Sequence, residues 1–68
     1  MSQYLISVCV HTKSGEDRDR VAQTVAGHGG RLRPMTEPRR FWARTALTLR
    51  QVRAIEGVKE CHLAPGTW

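Results

Sequence analysis

Hydrophobic and polar residues alternate along three stretches of the chain, as expected of strands that are buried on one side. In residues 4–10, the side chains predicted to face the core are those of Tyr4, Ile6, Val8 and Val10. In residues 41–47, the predicted inward set is Phe41, Ala43, Thr45 and Leu47, and the outward set is Trp42, Arg44 and Ala46. In residues 59–63, the alternation separates Cys61 and Leu63 from Glu60 and His62. Three strands are therefore predicted.

Two segments between these strands have the spacing and end signals of helices. Residues 16–28 follow Ser14, an expected N-cap, and end in a group of glycines. Their predicted buried stripe consists of Val21, Ala22, Val25 and Ala26. Thr48 and Gln51 have the spacing of a capping box, and Gly57 is the expected stop of this second helix.

A fourth strand is predicted at residues 31–36, where Pro34 cannot donate a backbone hydrogen bond and therefore favours the edge of a sheet. Residues 37–40 form the hairpin loop that follows. The resulting order, β-α-β-β-α-β, is that of a ferredoxin-like plait. We expect an α+β fold, with a four-stranded antiparallel sheet and two helices on one face. A chain of 68 residues has room for one domain, residues 1–68, with a short tail at 64–68.

The positive charge of the chain is concentrated in its second half. The formal net charge is +5, and residues 31–53 contain seven arginines but a single acidic residue, Glu37. This distribution indicates an acidic partner and argues against a protein that mimics DNA. No signal-peptide pattern is present, and the longest apolar run is too short to cross a bilayer, so we expect a cytoplasmic protein that does not enter the membrane.

The open face of the predicted sheet combines arginines with an indole. Arg31 and Arg33 belong to the edge strand, and Trp42 and Arg44 to a central strand. Arginine and tryptophan are enriched at protein-binding hot spots, so we expect these residues to bind a partner protein. His62 and Trp68 complete the predicted partner-binding set. Two alternatives remain open: stacking on single-stranded RNA or DNA, and a purely structural role in which arginine stems cover Trp42.

No other cluster predicts chemistry. Cys9, His11, Cys61 and His62 are all able to bind metal, but their spacing matches no ordinary structural zinc motif and alternation separates Cys61 from His62. We therefore expect no metal or other cofactor, and two reduced, mostly buried thiols. No Ser-His-Asp set, carboxylate pair or phosphate-binding glycine loop can be assembled. The sequence thus predicts a binding protein and not an enzyme.

Three segments carry a family resemblance: the opening strand at 4–10, the helix end and glycines at 21–32, and the stretch that runs from Leu47 through Gly57 to Cys61. Together they resemble the propeptide inhibitors of subtilisin-type serine proteases, which include stand-alone fungal proteinase B inhibitors. The resemblance implies a ferredoxin-like fold whose open sheet face lies on the protease. It also implies that residues 61–68 enter the protease cleft.

A second inhibitor hypothesis concerns a different partner. Phage-encoded blockers of bacterial defence complexes, such as CRISPR effectors, are also very small proteins without enzymatic sites. A blocker of this kind would bind through contacts other than DNA mimicry, because the chain is basic.

Overall fold

A four-stranded antiparallel sheet carries two helices on one face in the computed structural model, which describes residues 5–64. The elements in chain order are β1 (Ile6–Thr12), α1 (Gly15–Ala26), β2 (Arg31–Leu32), β3 (Arg40–Thr45), α2 (Leu49–Arg53) and β4 (Val58–Leu63). The strand order across the sheet is β2-β3-β1-β4, with every pairing antiparallel. The predicted α+β class is confirmed, and the strand order is compatible with a ferredoxin-like plait.

The register of β1 assigns each residue of the sheet to one of two faces. Val10 lies opposite Phe41 on β3 and Cys61 on β4. The next residue back, Cys9, lies opposite Trp42 and His62. Because successive side chains of a strand point to opposite sides, the first trio shares one face and the second trio the other.

The core lies between the helices and the face that contains Val10. Its buried members are Val8, Val10, Val21, Ala22, Val25, Phe41, Ala43, Val52 and Cys61. The predicted inward positions of β1 and β3 are thus confirmed, with Ile6 and Leu47 only partly buried, and so are three of the four positions of the predicted α1 stripe, since Ala26 is not part of the core. Tyr4 lies outside the described residues. Leu47, Leu49 and Ile55 pack against the margin of this core.

Both helices begin at the predicted caps. The Ser14 hydroxyl accepts a hydrogen bond from the backbone N–H of Asp17 at 3.1 Å. Thr48 and Gln51 form the full capping box, with each side chain accepting from the other residue's backbone N–H at 3.2 and 2.9 Å. Both helices end earlier than predicted, α1 at Ala26 and α2 at Arg53. Neither helix is long and apolar enough to cross a membrane.

The edge strand β2 is much shorter than the sequence predicts. We expected residues 31–36, but the ladder contains Arg31 and Leu32 and one further backbone bond, from Arg33 N–H to the Trp42 carbonyl at 3.1 Å. Pairing ends there because Pro34 has no N–H to donate. The edge position itself is confirmed.

The other strands differ from their predicted bounds by one or two residues. β1 extends to Thr12, whose buried hydroxyl donates to the carbonyls of Ser14 and Arg39 at 2.9 and 3.0 Å. β3 starts at Arg40, which we had assigned to the hairpin loop, and stops at Thr45. Arg40 thereby becomes part of the sheet and lies opposite His11.

Candidate partner-binding face

Four arginines surround one indole on the side of the sheet that faces away from the helices. Trp42 lies opposite Cys9, and Arg44 lies opposite Ser7 on one side and Arg31 on the other. We call this surface the basic–aromatic face and define it as Arg31, Arg33, Arg40, Trp42 and Arg44. The predicted outward positions of Trp42 and Arg44 are therefore observed.

Two guanidinium groups lie close to the indole ring of Trp42. The Cζ atom of Arg40 is 4.8 Å from the ring centroid, and that of Arg33 is 5.7 Å away. Both distances are within the range in which a cation is attracted to the electron-rich face of an aromatic ring. Trp42 is half-buried as a result, while Arg33 remains exposed.

Arg40 is held in this position by a carboxylate. Its Nε donates to a Glu37 side-chain oxygen in a close ion pair, and the Glu37 carbonyl accepts a hydrogen bond from Arg18 Nη1 at 2.7 Å. The hydrogen bond from Arg40 lowers the pKa of the Glu37 carboxyl. The hairpin loop is thus tied both to the sheet and to α1, which fixes the guanidinium that stacks on Trp42.

A shallow groove of about 370 Å³ opens beside Arg40. His11, Glu37, Arg39, Arg40 and Lys59 are among the residues that line it. Three of these side chains, those of Arg39, Arg40 and Lys59, are cationic, which suits an acidic side chain of a partner. The groove extends the positive potential of the basic–aromatic face toward β4.

The structure brings together most of the predicted binding residues. Arg31, Arg33, Trp42 and Arg44 are neighbours, and Arg44 Nε donates to Ser7 Oγ at 3.5 Å. His62 is exposed on the same side, but β1 separates its strand from β3. Trp68 lies outside the described residues. Arg40 is not among the predicted binding residues, because the sequence pattern assigns it to the proline-containing loop at 37–40 and not to β3.

The two cysteines lie on opposite sides of the sheet and have different surroundings. Cys61 belongs to the core, where burial raises the pKa of its thiol to about 11. Cys9 is on the open side, yet it is 3% exposed, and burial raises the pKa of its thiol despite the nearby positive charge of Arg40. The predicted burial of both cysteines is confirmed, and both are free thiols.

Two imidazoles lie next to the Cys9 thiol. The Cys9 Sγ atom is 3.8 Å from His11 Nε2, and the rings of His11 and His62 are 5.7 Å apart. The sequence brings these residues forward only as part of a set of four with Cys61, whose spacing matches no ordinary zinc motif, so the convergence of this trio is not predicted. A usable signal existed: Cys9 and His11 are two residues apart on a central strand, which puts them on one face.

Comparisons with known proteins provide no relative: no family model, curated protein or solved structure matches the chain. The likeness to subtilisin propeptides therefore remains a hypothesis drawn from sequence segments. Function has to be argued from the surface just described.

Proposed function

We propose that this protein is a binding module whose basic–aromatic face docks onto an acidic surface of a larger protein. The observation that carries the proposal is the position of Trp42, half-buried within cation–π distance of the guanidinium groups of Arg33 and Arg40, on the side of the sheet away from the helices. Tryptophan and arginine are enriched among the residues that contribute most to binding near the centre of an interface, so we assign Trp42 the role of an anchor there.

Preorganisation supports this role. Ordering a long side chain on binding costs about 0.5–1.5 kcal/mol, so a surface whose side chains are already held loses less on association. Arg40 is fixed by Glu37, and Glu37 is fixed by Arg18 through its carbonyl. The Trp42 ring in turn has the Cζ atoms of Arg40 and Arg33 at 4.8 and 5.7 Å from its centroid. A partner carboxylate can therefore pair with guanidinium groups that are already in place.

The kind of partner we propose is a protein that the module inhibits, and a subtilisin-like serine protease is the first candidate. Support for it comes from the sequence segments that resemble propeptide inhibitors and from the strand order, which is compatible with their fold. We propose the complete ferredoxin-like topology, with both strand-helix-strand crossovers right-handed. A cytoplasmic location and the lack of enzymatic activity belong to the same proposal.

Inhibition of a purified subtilisin-class protease tests this reading directly. Peptide hydrolysis is followed with increasing amounts of the wild type, of Trp42→Ala and of a chain that lacks residues 65–68. We expect slow inhibition by the wild type and at least about tenfold weaker inhibition by each variant, as for a binding hot spot. Arg50→Gln, which removes an exposed arginine from α2, is the control for charge and should inhibit like the wild type. Equal inhibition by all four proteins would exclude the face and the tail as binding elements.

A bacterial CRISPR effector is the alternative partner for the same face. Titration of a purified effector with the wild type and with Trp42→Ala distinguishes the two partner classes. Loss of target cleavage that depends on Trp42, without any effect on the protease, would assign the module to the defence complex.

A second candidate function is binding of single-stranded RNA or DNA. The observation that favours it is the combination of a half-buried indole with four arginines on one sheet face, since bases stack on aromatic rings while arginines contact phosphates. This function predicts that affinity falls steeply with salt, with a log–log slope of about −0.7 per phosphate contact. Fluorescence polarisation with a labelled oligonucleotide measures that slope, and no binding at low salt would eliminate the candidate.

A further inference from the structure

A sulfur atom and two imidazole nitrogens converge on the open side of the sheet, next to the basic–aromatic face. The ligand-capable atoms of Cys9, His11 and His62 all lie within 4.8 Å of one another. We propose that these three residues form a binding site for a zinc-class divalent metal ion. The site shares His11 with the groove beside Arg40, but it does not depend on the binding function proposed above.

The strand register produces this convergence. Cys9 and His11 are two residues apart on β1 and so point to the same side, and His62 on β4 lies directly opposite Cys9. The two rings therefore lie near the thiol without any loop having to fold over them. A site built on two adjacent strands is held more precisely than one on loops.

The distances suit a tetrahedral ion after small rotations of the side chains. With Zn–S near 2.3 Å and Zn–N near 2.0–2.1 Å, a tetrahedral site separates sulfur from nitrogen by about 3.6 Å. The Cys9 Sγ to His11 Nε2 distance is 3.8 Å. His62 is on an exposed position of the outer strand β4, so its ring is free to turn toward the thiol.

The donor set selects the metal. One thiolate and two imidazoles favour Zn²⁺ and similar borderline ions, whereas Mg²⁺ and Ca²⁺ require oxygen ligands. Cys9 is 3% exposed, so a metal thiolate there would be shielded from solvent and from oxidants.

Within residues 5–64 the trio has no fourth protein ligand. Three protein ligands leave one position for water or for a donor group from outside, as in zinc sites that are not purely structural.

Cobalt substitution provides the test, because Co²⁺ occupies zinc sites and reports its ligands in its absorption spectrum. The reduced protein is titrated anaerobically with Co²⁺, and then with Zn²⁺ to displace it. We expect a near-ultraviolet band from thiolate-to-cobalt charge transfer and visible bands of tetrahedral intensity, both reaching a plateau at one equivalent. Zn²⁺ should abolish both.

Variants assign the ligands. Cys9→Ser should remove the charge-transfer band, and His11→Gln and His62→Gln should each weaken binding by about tenfold or more, since even the residues that support metal ligands cost that much when lost. His28→Gln, which removes an exposed imidazole at the end of α1, is the matched control and should leave the titration unchanged. Far-ultraviolet circular dichroism establishes that each variant is folded, and the two histidine variants decide the matter if Cys9→Ser is not folded. A wild-type titration without the charge-transfer band, or one that neither histidine variant alters, would overturn the proposal.

Discussion

The backbone of Gly30 lies directly against the carbonyl group of Arg44. A Cβ atom added to Gly30 would come within 1.7 Å of the Arg44 carbonyl oxygen and 2.7 Å of its carbon. Gly30 immediately precedes β2, and Arg44 pairs with Arg31, the first residue of that strand. The edge strand therefore reaches β3 only because position 30 has no side chain.

We predict that Gly30→Ala destabilises the protein by about 2–4 kcal/mol, because two backbone segments must separate to admit one methyl group. Chemical denaturation followed by circular dichroism measures the change. Gly27→Ala is the matched control: Gly27 caps α1 with right-handed φ, and its added Cβ meets only the carbonyls of the preceding turn at 3.3 and 3.5 Å. It should change stability by less than about 1 kcal/mol in either direction. Similar losses for both variants would refute the close approach.

Much of this architecture could be predicted because local signals and tertiary packing agree. The alternation around Val8 and Val10, the stripe beginning at Val21 and the capping box at Thr48 each determine structure within a few residues of sequence. For these elements, the side chains that the pattern buries are the ones the core contains. The edge position of β2 followed in the same way from a single proline.

One missed feature is local, and two depend on contacts between distant segments. β2 ends early because Pro34 has no N–H for the ladder, so the proline marks the end of the strand as well as the edge of the sheet. Membership of Arg40 in β3 depends on pairing with His11. The approach of His62 to Cys9 depends on the register between β1 and β4, which no short sequence window contains.

The capping box gives a second test of stability. Thr48→Ala removes the hydroxyl that accepts from the Gln51 N–H, and we expect it to cost about 1 kcal/mol. The capping hydrogen bond should be a large share of the stability of α2, because this helix has five residues and few internal hydrogen bonds of its own. Thr48→Ser keeps the acceptor and should retain most of the stability. Thermal unfolding compares the three proteins, and equal losses for Ala and Ser would mean that the hydroxyl is not the stabilising group.

Thr45 provides a third test, in the interior. It is fully buried, and its hydroxyl accepts from the Leu47 N–H at 3.1 Å and donates to the Val25 carbonyl at 3.4 Å. Thr45→Val keeps the shape of the side chain but leaves the Leu47 N–H and the Val25 carbonyl without the hydroxyl, so we predict that the free energy of unfolding falls by about 1–3 kcal/mol. Thr24→Val makes the same exchange at an exposed position of α1 and should cost less than about 0.5 kcal/mol. The difference between the two unfolding free energies isolates the buried hydrogen bonds, and a difference near zero would contradict their importance.

The response to acid follows from two carboxylates with lowered pKa values. Hydrogen bonds from Arg20 and from the Ser14 hydroxyl lower the pKa of Asp17 below its ordinary value of 3.8, and the hydrogen bond from Arg40 lowers that of Glu37 below 4.5. A carboxyl group with a lower pKa in the folded state stabilises that state above its unfolded pKa, and the contribution disappears as the pH falls through the folded value.

We therefore expect the melting temperature to fall below about pH 4.5, where the unfolded chain begins to take up protons that the folded protein does not bind. A double variant, Asp17→Asn with Glu37→Gln, should melt lower than the wild type at neutral pH and lose less on acidification. Glu56→Gln removes one exposed carboxylate without touching either ion pair and serves as the control. Melting curves at a series of pH values measure the slopes. If the double variant and the wild type show the same slope between pH 5 and pH 3, these two ion pairs do not set the acid sensitivity of the fold.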